Sequence, residues 1–210
     1  MKQIALTFDD GPNMEITPQV LDILEEHGIT ASFFLIADRI TPESARVVQR
    51  AVDMGCEICN HSKTHSFMSR MSPEEIRNEV TCCTEKIVEI TGTAPRFFRP
   101  PYIDVSQAMY DEIGLTFICG SGCRDWEPDV SADERIRLTL ENARHGELIL
   151  LHDMPGNVNT VEALKVIIPE LKRCGFSFVT CGRMFDSCSV VPKHGWMYSN
   201  VFQTEPENHL

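Results

Sequence analysis

The sequence contains no apolar run near the roughly 20 residues that a membrane-spanning helix requires, and basic residues are scarce in it. Lys and Arg number 19 against 31 Asp and Glu, which gives a formal net charge of -12. Affinity for nucleic acid depends on clusters of Lys and Arg. We therefore expect no transmembrane segment and no nucleic-acid partner, and a neutral or cationic substrate fits this charge better.

A signal peptide is also missing from the chain as given, because the first apolar run begins within a few residues of Met1. A domain taken from a longer exported protein would begin in the same way. The sequence therefore leaves the localisation open between the cytoplasm and the cell exterior or cell wall.

The chain has nine cysteines, and neither their spacing nor their odd number fits a disulfide framework. Cys56 and Cys59 have CxxC spacing, which could belong to a zinc or redox site. They lie within an apparent strand and no second CxxC is present, so we interpret them as structural. We expect the cysteines to be mostly reduced, buried thiols.

A chain of 210 residues with 42% hydrophobic residues is long enough for one large domain with a substantial core. We expect a single domain, 1–210, whose core spans about 3–187. From about Ser189 onward, Pro, Lys, His and Trp occur without periodicity, so 188–210 is predicted to be a C-terminal extension packed on the surface. We also expect a monomer.

Short apolar runs alternate along the chain with amphipathic segments that carry helix start signals. The runs are near 3–8, 31–37, 57–60, 96–99, 115–120, 147–152 and 177–181. Thr17, Thr41 and Ser72 each precede a Pro and are predicted N-caps. Ser72 and Glu75 also have the spacing of a capping box.

Seven strand-then-helix units in succession predict a parallel sheet, and so many units in roughly 190 residues predict an α/β barrel that is closed or nearly closed. An open doubly wound sheet is the alternative. In a barrel, active sites lie where the strands end and the following loops begin. Polar residues at the ends of the apolar runs are therefore the candidates for function.

The first apolar run ends in two adjacent carboxylates, Asp9 and Asp10, which Gly11 and Pro12 follow. Two acids in different environments can divide their tasks, so that one binds a metal while the other takes a proton from water. Asp, Gly and Pro are also ordinary turn residues. An Asx-turn is therefore the alternative interpretation of this stretch.

Two histidines, His61 and His65, follow the third run at positions i and i+4. In a helical turn this spacing places both rings on one face, where they can share a metal. Many HxxxH pairs in soluble helices share no ligand. This pair is expected at the same sheet edge as Asp10, and two His with one carboxylate leave open coordination positions, as a catalytic metal requires.

Further polar residues end the later runs. Arg99 closes the fourth run and could hold a carboxylate bidentately, the alternative being a surface Arg. Asp125 lies beside Trp126 after the fifth run, and His152 ends the sixth. A His at a strand end that faces an acid is well placed as a general acid, although it could also be a buried core residue.

Five short motifs occur in a fixed order. They are TFDDGP, HSKTH, RPPY, RDW and LLH. In this order and at these separations they resemble the metal-dependent polysaccharide deacetylases of the NodB-homology group, the family-four carbohydrate esterases, over residues 3 to about 187. The resemblance implies a distorted (β/α)7 barrel, one divalent metal ion, usually zinc or cobalt, and hydrolytic removal of acetyl groups from a carbohydrate polymer or oligomer.

The resemblance also implies a role for each matching residue. It implies that Asp10, His61 and His65 bind the metal, that Asp9 is the catalytic base and that Arg99 orients this base. It further implies that the backbone N–H of Tyr102 helps to bind the oxyanion and that Asp125 tunes the catalytic acid His152. Trp126 and Leu150 are implied to form the apolar wall around the acetyl methyl group. Two acid–base groups with opposite tasks predict a bell-shaped pH profile.

Two positions depart from the family pattern. Gly122 stands three residues before Asp125, where the family often has Asp, and Ile103 follows the RPPY motif, where the family often has Gly. Both lie in loops that shape the substrate groove. They therefore bear on the identity of the substrate and leave the metal and proton-transfer groups unchanged.

We favour N-acetylglucosamine residues of peptidoglycan or of a chitin-type oligomer as the substrate, because His65 and Tyr102 are kept as in the N-acetylglucosamine deacetylases of the family. An O-acetyl esterase that acts on acetylxylan is the alternative, since the stretch from Met71 to Pro101 is similar to the xylan-active branch. A non-catalytic carbohydrate-binding module is a second alternative. A structural zinc protein is a third, and it would unfold on chelation.

Overall fold

Strands and helices alternate along most of the chain, as the apolar runs predict. A computed structural model describes residues 2–207, which form nine strands and seven α-helices. The strands are β1 (Lys2–Gly11), β2 (Ser32–Leu35), β3 (Glu57–Asn60), β4 (Phe97–Phe98), β5 (Thr116–Ile118), β6 (Ser121–Gly122), β7 (Glu147–His152), β8 (Phe176–Phe178) and β9 (Met197–Tyr198). The helices are α1 (Ile16–Glu26), α2 (Pro42–Asp53), α3 (Pro73–Thr91), α4 (Gln107–Glu112), α5 (Ala132–Asn142), α6 (Val158–Arg173) and α7 (Cys181–Ser187). Within residues 2–207, none of the helices is both long enough and apolar enough to span a bilayer.

The strands pair in parallel and form one curled sheet, so the predicted distorted barrel is confirmed. The order is β6-β7-β1-β2-β3-β4-β5-β9, and β8 pairs with the start of β1. In the pairing of β1 with β7, Asp9 lies opposite His152. Because the carboxyl ends of parallel strands meet at one edge of the sheet, the polar residues that end them converge there.

The C-terminal segment contains a strand that the sequence analysis did not predict. β9 pairs with β5, and beyond it the N–H of Leu148 in β7 donates to the carbonyl of Ser199 (2.9 Å). Met197 and Tyr198 are at most 2% exposed. The predicted surface position of 188–210 is therefore wrong for this part, because it connects β5 to β7 and belongs to the core.

The core has one main layer inside the curled sheet and another between the sheet and the helices. Successive side chains of a strand point to opposite faces, so alternate residues enter the interior. The interior layer contains Ala5, Phe34, Cys59, Phe97, Ile118 and Leu148, together with residues of α7 and the C-terminal segment. Cys56 packs in the outer layer instead, so the two cysteines of the CxxC pair lie in different layers. All nine cysteines, which fall within the described residues, are free thiols.

Two of the three predicted N-caps are confirmed. The side chains of Thr41 and Ser72 each accept a hydrogen bond from the backbone N–H of the third helical residue, at the starts of α2 and α3. α1 begins at Ile16, so Thr17 lies inside that helix. Its hydroxyl donates to the carboxylate of Asp153 (2.5 Å) and so ties the first turn of α1 to the end of β7.

Candidate active site

Eight of the ten predicted site residues line one cavity of about 360 Å³ at the carboxyl ends of the strands. These eight are Asp9, Asp10, His61, His65, Tyr102, Trp126, Leu150 and His152. The other two, Arg99 and Asp125, are fully buried and form hydrogen bonds to residues of the cavity lining. The fold therefore brings together residues that are spread over about two thirds of the sequence.

Asp9 and Asp10 both face the cavity although they are neighbours in one strand. Regular alternation would direct their side chains to opposite faces of the sheet. The register between β1 and β2 shifts between Asp9 and Gly11, and Asp10 has a left-handed backbone with φ of 73°. Asp tolerates this conformation better than most residues. The irregularity at the strand end places both carboxylates on the same side.

His61 and His65 lie in a loop, so the helical turn that their spacing suggested is wrong. Ser62 and His65 have φ values of 70° and 62°, and the two imidazole centroids are 4.9 Å apart. The N–H of His65 donates to Ser62 Oγ (3.0 Å). The buried carboxylate of Glu79 accepts a hydrogen bond from the N–H of Thr64 (2.9 Å). These bonds hold the two rings together without a helix.

Asp10, His61 and His65 fit a metal ion. Their potential ligand atoms lie within 4.8 Å of one another, and Oδ1 of Asp10 is 3.3 Å from Nε2 of His65 and 3.8 Å from Nε2 of His61. This Oδ1 is buried and has no hydrogen-bond partner among residues 2–207. A buried carboxylate oxygen without a partner is costly, and a cation at this point would satisfy it.

The protonation of the two imidazoles also suits a metal. Nδ1 of His61 lies 2.6 Å from the carbonyl oxygen of Arg99. Because a carbonyl can only accept, the proton is on Nδ1 and the lone pair of Nε2 faces the cavity. Burial lowers the pKa of His61 to about 3 and also lowers the pKa of His65. Both rings are therefore mainly neutral at pH 7, which is the form that binds metals.

The buried guanidinium of Arg99 holds Asp9 in place. Nη1 of Arg99 donates to Oδ1 of Asp9 (2.5 Å) and Nη2 donates to Thr7 Oγ1 (2.8 Å). The guanidinium carbon lies 4.2 Å from the ring centroid of Phe34. Burial raises the pKa of Asp9, and the charge of Arg99 opposes that rise. The arrangement therefore provides a carboxylate that is fixed in orientation and more basic than an exposed Asp.

His152 is joined to Asp125 by two hydrogen bonds. Nδ1 of His152 donates to Oδ1 of Asp125 (2.8 Å), and the backbone N–H of His152 donates to Oδ2 (2.7 Å). Burial lowers the pKa of His152, but the charge and the hydrogen bond of Asp125 outweigh it and raise the pKa to about 9. His152 is therefore mainly protonated at pH 7 and can act as a proton donor.

Asp125 is itself held from behind by residues that sequence reasoning missed. It accepts a hydrogen bond from Thr160 Oγ1 (3.0 Å). Arg135, which is 2% exposed, donates to the same hydroxyl (2.8 Å) and to Asn157. An Arg within a polar helical pattern is usually solvent-exposed, so no sequence signal marked this one.

Trp126 and Leu150 supply apolar surface to the cavity. The ring of Trp126 meets the ring of His152 edge-on, with centroids 5.7 Å apart. A Cβ at Gly122 would lie 3.0 Å from the Trp126 ring. The glycine that stands here in place of the Asp of the family pattern therefore lets the ring approach the backbone. Ile103, the second departure, also lines the cavity.

Asp153 was not identified as a site residue from the sequence. It directly follows His152, so a second polar residue at the end of this strand was the signal that could have marked it. Its side chain is fully buried. Oδ2 accepts from the hydroxyl of Thr17 (2.5 Å), the backbone N–H donates to the carbonyl of Asp9 (3.0 Å), and the carboxylate lies against Gly11. Asp153 therefore supports the end of β1 from below the cavity.

We expect Asp153→Asn to change how the stability of the metal-free protein depends on pH. Burial raises the pKa of Asp153 from 3.8 to about 7, so between these values the unfolded chain ionises and the folded one does not. The contribution of Asp153 to the free energy of unfolding is then fully present below about pH 4 and is lost as the pH rises towards 7. Between pH 5 and 8 this loss is roughly 3 kcal/mol in the wild type and absent in the variant.

Urea unfolding in the presence of a chelator at both pH values measures this difference. The exposed Asp111→Asn variant serves as the control and should keep the pH dependence of the wild type. Parallel curves for Asp153→Asn and the wild type would show that Asp153 is ionised in the folded protein.

Comparisons with known proteins agree with this fold. Residues 1–118 match the polysaccharide deacetylase family. A bifunctional xylanase/deacetylase of Pseudobutyrivibrio xylanivorans is 46% identical over 201 residues, which are 95% of this chain and 33% of that protein, so the chain spans about a third of its length. A peptidoglycan-N-acetylglucosamine deacetylase of Bacillus cereus is 36% identical over 191 residues, with 88% of this chain and 69% of the relative covered.

A solved structure shows the same likeness in three dimensions. The family 4 acetyl xylan esterase from Clostridium thermocellum, determined with a cobalt ion, superimposes with a TM-score of 0.93. It is 38% identical, and the match covers 96% of this chain and 100% of that one. The chain therefore belongs to the polysaccharide deacetylases of carbohydrate esterase family 4, which are metal-dependent hydrolases of acetyl amides and esters.

Proposed function

We propose that this chain removes acetyl groups by hydrolysis from N-acetylglucosamine residues of peptidoglycan or of a chitin-type oligomer. The observation that carries the proposal is that Asp9 and His152 lie opposite each other in the paired strands β1 and β7 and line one cavity, where they could serve as base and acid. An amine is a poor leaving group until it is protonated, so an amide substrate needs such an acid. An ester needs it less, because an alcohol leaves more readily.

The residues of the chain account for each proton transfer. Asp9, oriented by Arg99, takes a proton from the water that attacks the acetyl carbonyl. The backbone N–H of Tyr102, a residue with a left-handed φ of 59°, donates to the oxygen on which negative charge develops. His152, kept protonated by Asp125, then gives its proton to the leaving nitrogen. All these groups come from one chain, so the site is complete in a monomer.

Asp10, His61 and His65 would hold one divalent ion, with zinc or cobalt as the expected metal. A bound ion of this kind supplies Lewis acidity, which polarises a carbonyl group and lowers the pKa of water. Two imidazoles and one carboxylate suit either metal and leave coordination positions open. Trp126 and Leu150 offer apolar contacts to the methyl of the acetyl group.

Acetylxylan is the second candidate substrate. The xylanase/deacetylase of P. xylanivorans is 46% identical to this chain, and the C. thermocellum acetyl xylan esterase superimposes with a TM-score of 0.93. The names of both proteins refer to xylan. The same base would serve an O-acetyl ester, since the attack on the carbonyl is common to both substrates.

Acetate release from two substrates tests the proposal. We expect metal-loaded protein to release acetate from N-acetylchitotetraose, and the Asp9→Ala variant to release none. Release from acetylated xylotetraose alone would assign the chain to the esterases. If neither substrate yields acetate while saccharide binding is retained, the chain is a carbohydrate-binding module and the hydrolase proposal is wrong.

A further inference from the structure

Two exposed aromatic side chains stack on each other at the rim of the catalytic cavity. Phe67 and Tyr102 are each 57% exposed. Their ring centroids are 4.0 Å apart and their planes differ by 15°. Single exposed apolar residues are common on soluble proteins, whereas a joined apolar patch beside a cavity marks a binding surface.

The pair continues outward from the proposed metal ligands. The ring of His65 meets the ring of Tyr102 edge-on, with centroids 4.6 Å apart. Tyr102 belongs to the cavity lining and Phe67 lies outside it. His65, Tyr102 and Phe67 therefore form a row that leads from the cavity to the surface.

The two loops that carry this pair are fixed to each other and to the core. The N–H of Ser69 donates to Oδ2 of Asp104 (3.0 Å), which joins the loop of Phe67 to the loop of Tyr102. The side chain of Met68, next to Phe67, is fully buried. The stacked rings are thus held in place before any ligand arrives, which lowers the entropic cost of binding to them.

The size of the cavity indicates what the pair would bind. A volume of about 360 Å³ lies at the lower end of the range for small-ligand pockets, so it accommodates the acetylated sugar and little of the rest of a polymer. Neighbouring sugars must lie on the rim. The C–H groups on the face of a pyranose ring are apolar and pack well against a flat aromatic ring.

We propose that Phe67 and Tyr102 form a subsite for the pyranose ring next to the one that is deacetylated. This subsite rests on the proposed function for its place in the reaction, but saccharide binding to it does not require turnover. It predicts that the protein prefers oligomers to a single sugar. Phe67 is then a specificity-determining residue, and it contributes only when the substrate is long enough to reach the rim.

The test compares Phe67→Ala with the wild type on substrates of different length. For N-acetylchitotetraose we expect kcat/KM to fall about 10-fold, because truncation of a side chain that contributes to binding typically lowers affinity by about this factor. For 4-nitrophenyl acetate, which cannot reach the rim, we expect less than a twofold change. Phe67→Tyr keeps a flat ring and should restore most of the activity on the tetramer. Phe202→Ala removes another half-exposed aromatic residue, 48% exposed and packed against His145, and should change neither rate.

An equal loss on both substrates would overturn the proposal, because it would mean that Phe67 only supports the Tyr102 backbone. An unchanged rate on the tetramer would overturn it as well. Calorimetric titration with N-acetylchitotetraose and with xylotetraose separates this inference from the proposed function. If the wild type releases no acetate but binds a tetramer about 10-fold more tightly than Phe67→Ala does, the subsite stands and the hydrolase proposal fails.

Discussion

Asp9→Asn should abolish acetate release while the protein still binds its metal. Oδ2 of Asp9 lies 3.6 Å from Nε2 of His61, one of the three proposed metal ligands, and Oδ1 of Asp9 accepts a hydrogen bond from Arg99. The amide keeps the size of the side chain and one oxygen for Arg99 but cannot take a proton. General bases contribute about 10²–10⁴-fold to rates, so kcat/KM should fall by at least about 100-fold. Acetate release and the metal content after dialysis are the two measurements.

The neighbouring substitution Asp10→Asn is the matched control. It replaces the only charged group among the three proposed ligands with a neutral amide, so we expect metal affinity to fall by about 100-fold or more. Loss of a residue that only orients a ligand usually costs about 10- to 100-fold. Excess metal should restore part of its activity, whereas it should not rescue Asp9→Asn. Retention of the metal by Asp10→Asn together with its loss from Asp9→Asn would mean that the two roles are exchanged.

Chelation of the wild type completes this comparison. The proposed ligands lie at the rim of the sheet, and the interior layer is formed by apolar side chains without them. We therefore expect the chelated protein to lose activity and to keep its circular dichroism spectrum. Unfolding on chelation would instead favour a structural metal.

His152→Ala should reduce amide hydrolysis far more than ester hydrolysis. The amine of a glucosamine must be protonated as it leaves, and His152, whose pKa is raised to about 9, is the proposed donor. Loss of a general acid costs about 10²–10⁴-fold when the leaving group depends on it. For acetylated xylotetraose or 4-nitrophenyl acetate we expect a loss below about 10-fold. Equal losses on the amide and the ester would refute the acid role of His152.

The pH profile gives an independent test of the same residue. A donor with a pKa raised from 6.5 to about 9 is protonated below that value and loses its proton as the pH rises through it. The alkaline limb of amide hydrolysis should therefore lie above pH 6.5, the ordinary value for His. Asp125→Asn removes the charge that raises this pKa, so it should move the alkaline limb to lower pH. An unmoved limb would show that another group is the acid.

Much of the site was predictable because its parts lie at the ends of apolar runs. Strand periodicity and turn residues are local properties of the sequence, and the parallel arrangement follows from the alternation of strands and helices. Asp9, Arg99 and His152 each end such a run, and the ordered motifs placed Asp10 and the two histidines beside them. The C-terminal strand β9 has only two residues, which is too short to show a period.

The local conformation of the site was less predictable than its composition. The spacing of His61 and His65 suggested a helical turn, yet left-handed residues in a loop bring the rings together. Left-handed backbone at Ser62 or Tyr102 is intrinsically unfavourable and persists only when surrounding contacts enforce it. Such contacts involve residues distant in sequence, such as Glu79 for the histidine loop, so no local pattern shows them.

By itself the sequence determined the alternation of strands and helices over most of the chain, the family, and the set of polar residues that meet at one end of the sheet. Only the tertiary structure decided that Asp9 and Asp10 face the same way, that Arg135 and Asp153 are buried behind the cavity, and that the C-terminal segment connects β5 to β7. The first group depends on periodicity and chain order, which are written along the sequence. The second depends on contacts between distant segments, and these exist only once the chain has folded.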